Sequence, residues 1–185
     1  MAACSKPEQQ PGAPAAQPAA AGPGVVTGTA PRGSIVALIP AAGEAPLPPG
    51  PAVMDQYAKT FVPNVLYARV GQPVEFRNSE DMPHNVNVTR RGTGAAIFSV
   101  ATEPQQKYVH TFDRAGQYDV ACDIHPGMQA LVVATSSPLA AIADDQGAFS
   151  IPNVPDGTYK VEVTFEGRTV ERHLDVKGPR TDLKM

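Results

Sequence analysis

The sequence predicts an all-β protein on three observations. Proline and glycine are abundant, at 20 and 16 of 185 residues. No stretch carries the apolar period of a long amphipathic helix. Short apolar runs recur instead between turn-forming residues, the pattern of many short strands.

Composition narrows the function classes. The net charge is -3, and no basic stripe exists that could neutralise nucleic-acid phosphates. Arg90-Arg91 is the one basic pair of note, and a solvated loop accounts for it. No apolar run approaches the roughly 20 residues needed to cross a bilayer. Ala19-Ala20-Ala21 lies between Pro18 and Pro23 and is not greasy.

The N-terminal residues Met1-Ala2-Ala3-Cys4-Ser5 resemble the end of a bacterial lipoprotein signal, in which small residues precede the cysteine that receives lipid. Met1 stands where leucine is usual, and a chance cysteine is the alternative. Residues 1–23 are rich in Pro, Ala, Gln and Gly. Such a segment buries too little surface to offset its ordering entropy. It is expected to be a tether reaching roughly 25 Å if flexible and roughly 60 Å if extended. A lipid on Cys4 would place the protein at an extracytoplasmic or periplasmic membrane surface. Cys4 and Cys122 sit in unlike contexts and are not expected to pair.

After the tether, Val25-Val26-Thr27 and Ser34 to Ile39 read as strands of a first segment, 24–50, which Pro46-Leu47-Pro48-Pro49-Gly50 closes. Residues 51–135 then give a series of strands. Val65 to Val70 is one, and Gly71-Gln72-Pro73 turns into Val74 to Arg77. Asn85 to Val88 alternates apolar and polar residues; Ala96 to Phe98 and Tyr108 to Phe112 follow. Arg114-Ala115-Gly116 turns into Gln117 to Cys122, and Ala130 to Val133 ends the region. Short alternating strands separated by turns indicate a sandwich or barrel. In the segment 136–179, Tyr159, Val161, Val163 and Phe165 share one strand face, Glu166-Gly167 turns the chain, and Leu174 and Val176 return on one face. That is a hairpin with one buried side. Residues 180–185 read as a polar tail.

The chemistry lies in Cys122, His125 and Met128, spaced Cys-x-x-His-x-x-Met, with His84 upstream in Met82-Pro83-His84-Asn85-Val86. A thiolate and two imidazoles form a trigonal set that suits both copper oxidation states, and a thioether adds a weak axial contact. Three donors converge from one loop if it leaves a strand and turns sharply, and Pro126-Gly127 supplies the turn. Alone, the cysteine and the methionine would each more often be packing residues. Zinc is the chemical alternative, but methionine is a poor zinc ligand. His110 reads as an ordinary strand residue and His173 as a solvated one.

Residues 51–135 resemble the cupredoxins, specifically the amicyanin-like branch of these plastocyanin-like proteins. The resemblance rests on Gly71, Val74, Phe76, Asn78, Pro83-His84-Asn85-Val86, Gly116, Tyr118 and Cys122-Asp123-Ile124-His125-Pro126-Gly127-Met128. It implies an eight-stranded Greek-key sandwich holding one copper ion, bound through Nδ1 of His84 and His125, with Asn85 tying the two ligand loops together. Residues 147–159 resemble the carboxypeptidase regulatory-like module in its Gly-x-Phe-x-Ile-x-x-Val-Pro-x-Gly-x-Tyr pattern. Its early strands would be 24–50, so the expected architecture is a cupredoxin sandwich inserted in, or joined to, a small regulatory-like β-sandwich.

The function expected is that of a non-enzymatic blue copper protein passing single electrons between redox partners. A copper carrier or sensor would use a more open, Met- or His-rich site. A copper oxidase would need further histidines. A structural module with an idle site is the remaining alternative.

Overall fold

The computed structural model describes residues 23–184. Every regular element among them is a strand. In chain order they are β1 (Gly24–Thr29), β2 (Ile35–Pro40), β3 (Ala52–Tyr57), β4 (Thr60–Val62), β5 (Val65–Arg69), β6 (Pro73–Asn78), β7 (His84–Arg90) and β8 (Ala95–Thr102). There follow β9 (Lys107–Thr111), β10 (Gly116–Ala121), β11 (Gln129–Thr135), β12 (Ala140–Ile142), β13 (Ala148–Val154), β14 (Gly157–Phe165), β15 (Arg168–Val176) and β16 (Arg180–Lys184).

The strands from β3 to β11 form two sheets, ordered β4-β3-β6-β9 and β5-β11-β10-β7-β8. Alternation sets the inward faces. In β7, His84, Val86 and Val88 are buried between the half-buried Asn85, Asn87 and Thr89. In β10, Gly116, Tyr118 and Val120 face in. Met54, Phe61, Phe76, Phe112, Tyr118 and Val132 fill the space between the sheets, and Cys122 and Met128 belong to the same cluster. Burying such side chains contributes about 1.5–3 kcal/mol each.

The remaining strands form two further sheets, β13-β1-β16 and β12-β2-β14-β15. The earliest strands thus pair with the latest: β2 lies antiparallel to β14, with Val161 opposite Leu38, and β1 lies antiparallel to β13. Val26, Val36, Leu38, Ile151, Val161 and Val176 make a second core. The expected inner face of the hairpin is buried from Tyr159 to Val163 but opens at its tip, where Phe165 is 36% and Val170 44% exposed.

One expectation is corrected. Arg180–Lys184, read as part of a polar tail, form β16, which runs parallel to β1 with Val25 opposite Arg180. The reason is local. Gly178 adopts a φ of +73° and its N–H donates to Asp156 Oδ1 at 2.9 Å, which returns the chain to the sheet. Leu183 then joins the second core. A single apolar residue among charged ones was too thin a signal for a strand.

Ile35, Ala37 and Ile39 project from β2 away from the second core yet are buried. A cleft of about 760 Å³ has Ile35 and Ile142 on one wall and Leu131 and Gln117 on the other. The outer face of β2 therefore turns toward the outer face of β10 and β11. Gln117 donates its side-chain N–H to the carbonyl of Gly33, and Ser137 Oγ donates to that of Leu38 at 2.5 Å.

Candidate metal centre

Three strand ends meet at one pole of the first sandwich: the start of β7, the end of β10 and the start of β11. Each delivers donor side chains. His84 opens β7, and its position is fixed by the buried Asn78, whose Nδ2 donates to the carbonyls of Met82 and Thr102, both at 2.8 Å. Asn78 Oδ1 accepts the N–H of Glu80 at 3.0 Å, closing the turn that precedes His84. Below the site, Gln56 Nε2 donates to the carbonyl of Arg77, and Gln56 Oε1 accepts from Thr102 Oγ1. These buried amides leave the histidine little freedom.

The second donor group lies on the loop after β10. Cys122 N–H donates to the Met128 carbonyl at 3.1 Å, and Met128 N–H donates to that of His125 at 3.2 Å. The loop is so short that it needs a left-handed residue, and Gly127 takes φ +86°. His84, Cys122 and Met128 are 1%, 5% and 2% exposed, and His125 is half-buried.

Three of the four expected donors come together. His84 Nδ1 lies 3.0 Å from His125 Nδ1, and Cys122 Sγ lies 3.8 and 3.6 Å from those two nitrogens. The circumcentre of a triangle with those sides is about 2.0 Å from each corner, close to metal–imidazole and metal–thiolate bond lengths. Two imidazole nitrogens at that separation repel if both present lone pairs, unless a cation lies between them. A soft thiolate with two imidazoles also matches copper better than hard cations. The residues present therefore fit a single copper ion. Met128 closes the same loop, and its side chain is buried in the same cluster as Cys122.

Two carboxylates flank the donors, and sequence reasoning singled out neither. Glu80 Oε2 lies 2.7 Å from His84 Nε2. That contact places the ring proton on Nε2 and leaves the Nδ1 lone pair facing the cluster. Burial alone would push the Glu80 carboxyl up. The hydrogen bonds from His84 and from the N–H of Lys59 outweigh it and hold the group below the usual carboxylate range. On the other flank, Asn85 links the two loops: its Oδ1 accepts the N–H of Asp123 at 2.6 Å and its Nδ2 donates to Asp123 Oδ2 at 2.7 Å. The legible signal for Glu80 was its place four residues before His84. For Asp123 it was its place directly after Cys122.

The other histidines lie elsewhere. His110 stands in β9 with its ring 4.6 Å from that of Phe98 and 4.8 Å from that of Phe112. Burial lowers its basicity, with Asp113 opposing. His173 is exposed on β15. Cys4 falls outside the described residues.

Several known copper proteins are similar to this chain. A sequence profile of the copper binding proteins of the plastocyanin/azurin family matches residues 52–135. Amicyanin from Paracoccus denitrificans is 36% identical over 85 residues, covering 45% of this chain and 65% of that protein. Plastocyanin from Ginkgo biloba is 30% identical over 77 residues, covering 37% of this chain and 78% of that protein. A solved structure of a Cu(I) amicyanin mutant aligns at a TM-score of 0.43 and 32% identity, covering 54% of this chain and 92% of that one. The match to the two Paracoccus amicyanins spans 65% and 57% of their lengths, less than two thirds of either. The profile match and the span of the plastocyanin it resembles lead to one conclusion: this chain belongs to the copper-binding proteins of the plastocyanin/azurin family.

Proposed function

We propose that this protein is a type 1 copper protein that carries single electrons, with His84, Cys122 and His125 as the strong ligands and Met128 as the weak axial one. The observation that carries the reading is the convergence of Sγ and two Nδ1 atoms around one point. Copper supplies the one-electron change when bound. The chain's own residues do the rest. Asn78, Gln56 and Asn85 hold the donors in place, so little rearrangement accompanies a change of charge. Burial keeps water from the thiolate. A carrier or sensor that must release its ion would gain nothing from such a closed set, and the described residues gather one such cluster only.

Exchange is assigned to His125, the most accessible donor. Met82, Pro83, Pro126 and Gly127 are exposed on the two donor-bearing loops and Ala130, just beyond, is half-buried, and none is charged. A small apolar contact suits a redox protein partner that must leave quickly. The extracytoplasmic setting and a lipid tether at Cys4 are part of the same reading, resting on the N-terminal sequence.

Residues 51–135 are proposed as the copper domain, inserted between 24–50 and 136–184 of a regulatory-like β module, the second part including β16. Pairing of β1 with β13 and of β2 with β14 supports this. The module supplies none of the clustered donors.

The test is titration of the full chain with Cu(II). A strong visible thiolate-to-copper band is expected in the wild type. It should vanish in Cys122→Ser while the β-type circular dichroism persists. A colourless wild type, or a blue Cys122→Ser, would overturn the reading.

A further inference from the structure

Asp123 follows Cys122 directly, is exposed to solvent, and is nonetheless pinned. Its Oδ2 accepts from Asn85 Nδ2 at 2.7 Å and from Asn87 Nδ2 at 3.2 Å, and its Oδ1 accepts from Asn87 Nδ2 at 3.0 Å. Its own N–H donates to Asn85 Oδ1 at 2.6 Å. Asn85 and Asn87 alternate along β7, so both amides project from one face of the strand that begins with His84. The carboxylate sits in a clamp of two side-chain amides and cannot swing away. Those partners are neutral: they satisfy its lone pairs without cancelling its charge. The backbone bond to Asn85 would hold the loop whatever side chain stood at position 123, so loop geometry alone does not account for a charged group clamped there.

We propose that Asp123 sets the redox balance of the centre. A fixed negative charge one residue from the thiolate stabilises a doubly charged ion more than a singly charged one. Asp123 therefore biases the site toward the oxidised state and lowers its reduction potential. Asn85 and Asn87 act as positioning residues, keeping the charge at constant distance from the donors. Solvent and salt weaken the interaction without abolishing it. The inference rests on the copper reading given above.

The test uses the full chain loaded with copper. Redox titration followed by the visible band compares the wild type with Asp123→Asn, Asp123→Ser and Asp123→Glu, and melting of the metal-free forms reports on folding. Asp123→Asn and Asp123→Ser should both be easier to reduce, with the ratio of Cu(II) to Cu(I) affinity falling by about threefold or more. Asp123→Glu keeps the charge and should stay nearer the wild type than either. The gap between wild type and Asp123→Asn should narrow as ionic strength rises. An unchanged potential in blue Asp123→Asn and Asp123→Ser overturns the proposal. So does an equal shift in Asp123→Glu, because lost shape rather than lost charge would then be the cause. These outcomes are distinct from failure of the copper reading, which would show as a wild type that does not turn blue and would remove the inference with it.

Discussion

Two tyrosines do the same work in the two sandwiches. Tyr118 OH donates to the carbonyl of Arg114, and Tyr159 OH to that of Pro155, each at 2.8 Å and each four residues back. Both follow a Gly-x-Tyr pattern at the entry to a long strand, and burial pushes both phenols up. The bond pins a sharp corner to the core, as in other β-sandwiches. Tyr118→Phe keeps the ring but removes the donor, so a loss of about 1 kcal/mol is expected. Chemical denaturation of the metal-free chain measures it. At this scale the sequence pointed to the grouping of His84, Cys122 and His125 that the fold brings together, because a thiol and two imidazoles in such contexts have few other uses. It hid the roles of Glu80 and Asp123. A carboxylate in a polar loop is ordinary in sequence, and only the folded register shows which ring or amide it meets.

At the scale of the element, the pairing of β6 with β9 carries a buried charge. Glu75 accepts from Lys107 Nζ at 2.9 Å and pairs with Arg77. Lys107 first and Arg77 second hold its carboxyl below the usual range, against the opposing effect of burial. A lowered pKa means the unfolded chain binds more protons across that window, so stability rises with pH there. The contribution is complete above the ordinary glutamate pKa of about 4.3 and is lost as pH falls through the lowered value. Glu75→Gln should cost about 1 kcal/mol near neutrality, discounted because both cations are half-exposed. The difference from wild type should shrink in acid, which melting at a series of pH values would show. Strands with clean alternation, such as β7, β10 and β14, were legible in the sequence. β3, β4, β12 and β16 were not. Two are three residues long, and the inward residues of β3 include the polar Gln56, buried through hydrogen bonds that no periodicity reveals.

At the scale of the whole molecule, the two connections between the sandwiches pass one buried arginine. Arg69 Nη2 donates to the carbonyls of Ala45 and Ser136, at 3.3 and 3.0 Å. Ser136 Oγ in turn donates to Glu162 Oε2 at 2.6 Å. With Ile35, Ala37 and Ile39 buried on the outer face of β2, the two units should unfold together. The expected outcome is one calorimetric transition that coincides with loss of the copper band. Ile35→Asp places a charge in that layer and should cost about 2–4 kcal/mol. It should also separate the two events, leaving the band to outlast the first transition. A single coincident transition in that variant would mean that the layer does not couple them. Ile35 to Ile39 is an unbroken apolar run, and its second buried face has meaning only once the neighbouring sheet is placed.

The parallel neighbours β1 and β16 carry a mechanical consequence. The strand entering the module at Gly24 and the strand leaving it at Lys184 lie side by side and point the same way. Tension on the chain from both sides pulls them toward opposite ends of their shared ladder. Its hydrogen bonds are then loaded together in shear, not unzipped one after another. The copper sandwich hangs between β2 and β12, inside that clasp. Its two connections leave beside Arg69 at the far end of β11, roughly 20 Å along the strand from the metal loops. Force therefore bypasses the metal loops until the clasp gives way, and a chain pulled from both sides would keep its donor cluster unstrained.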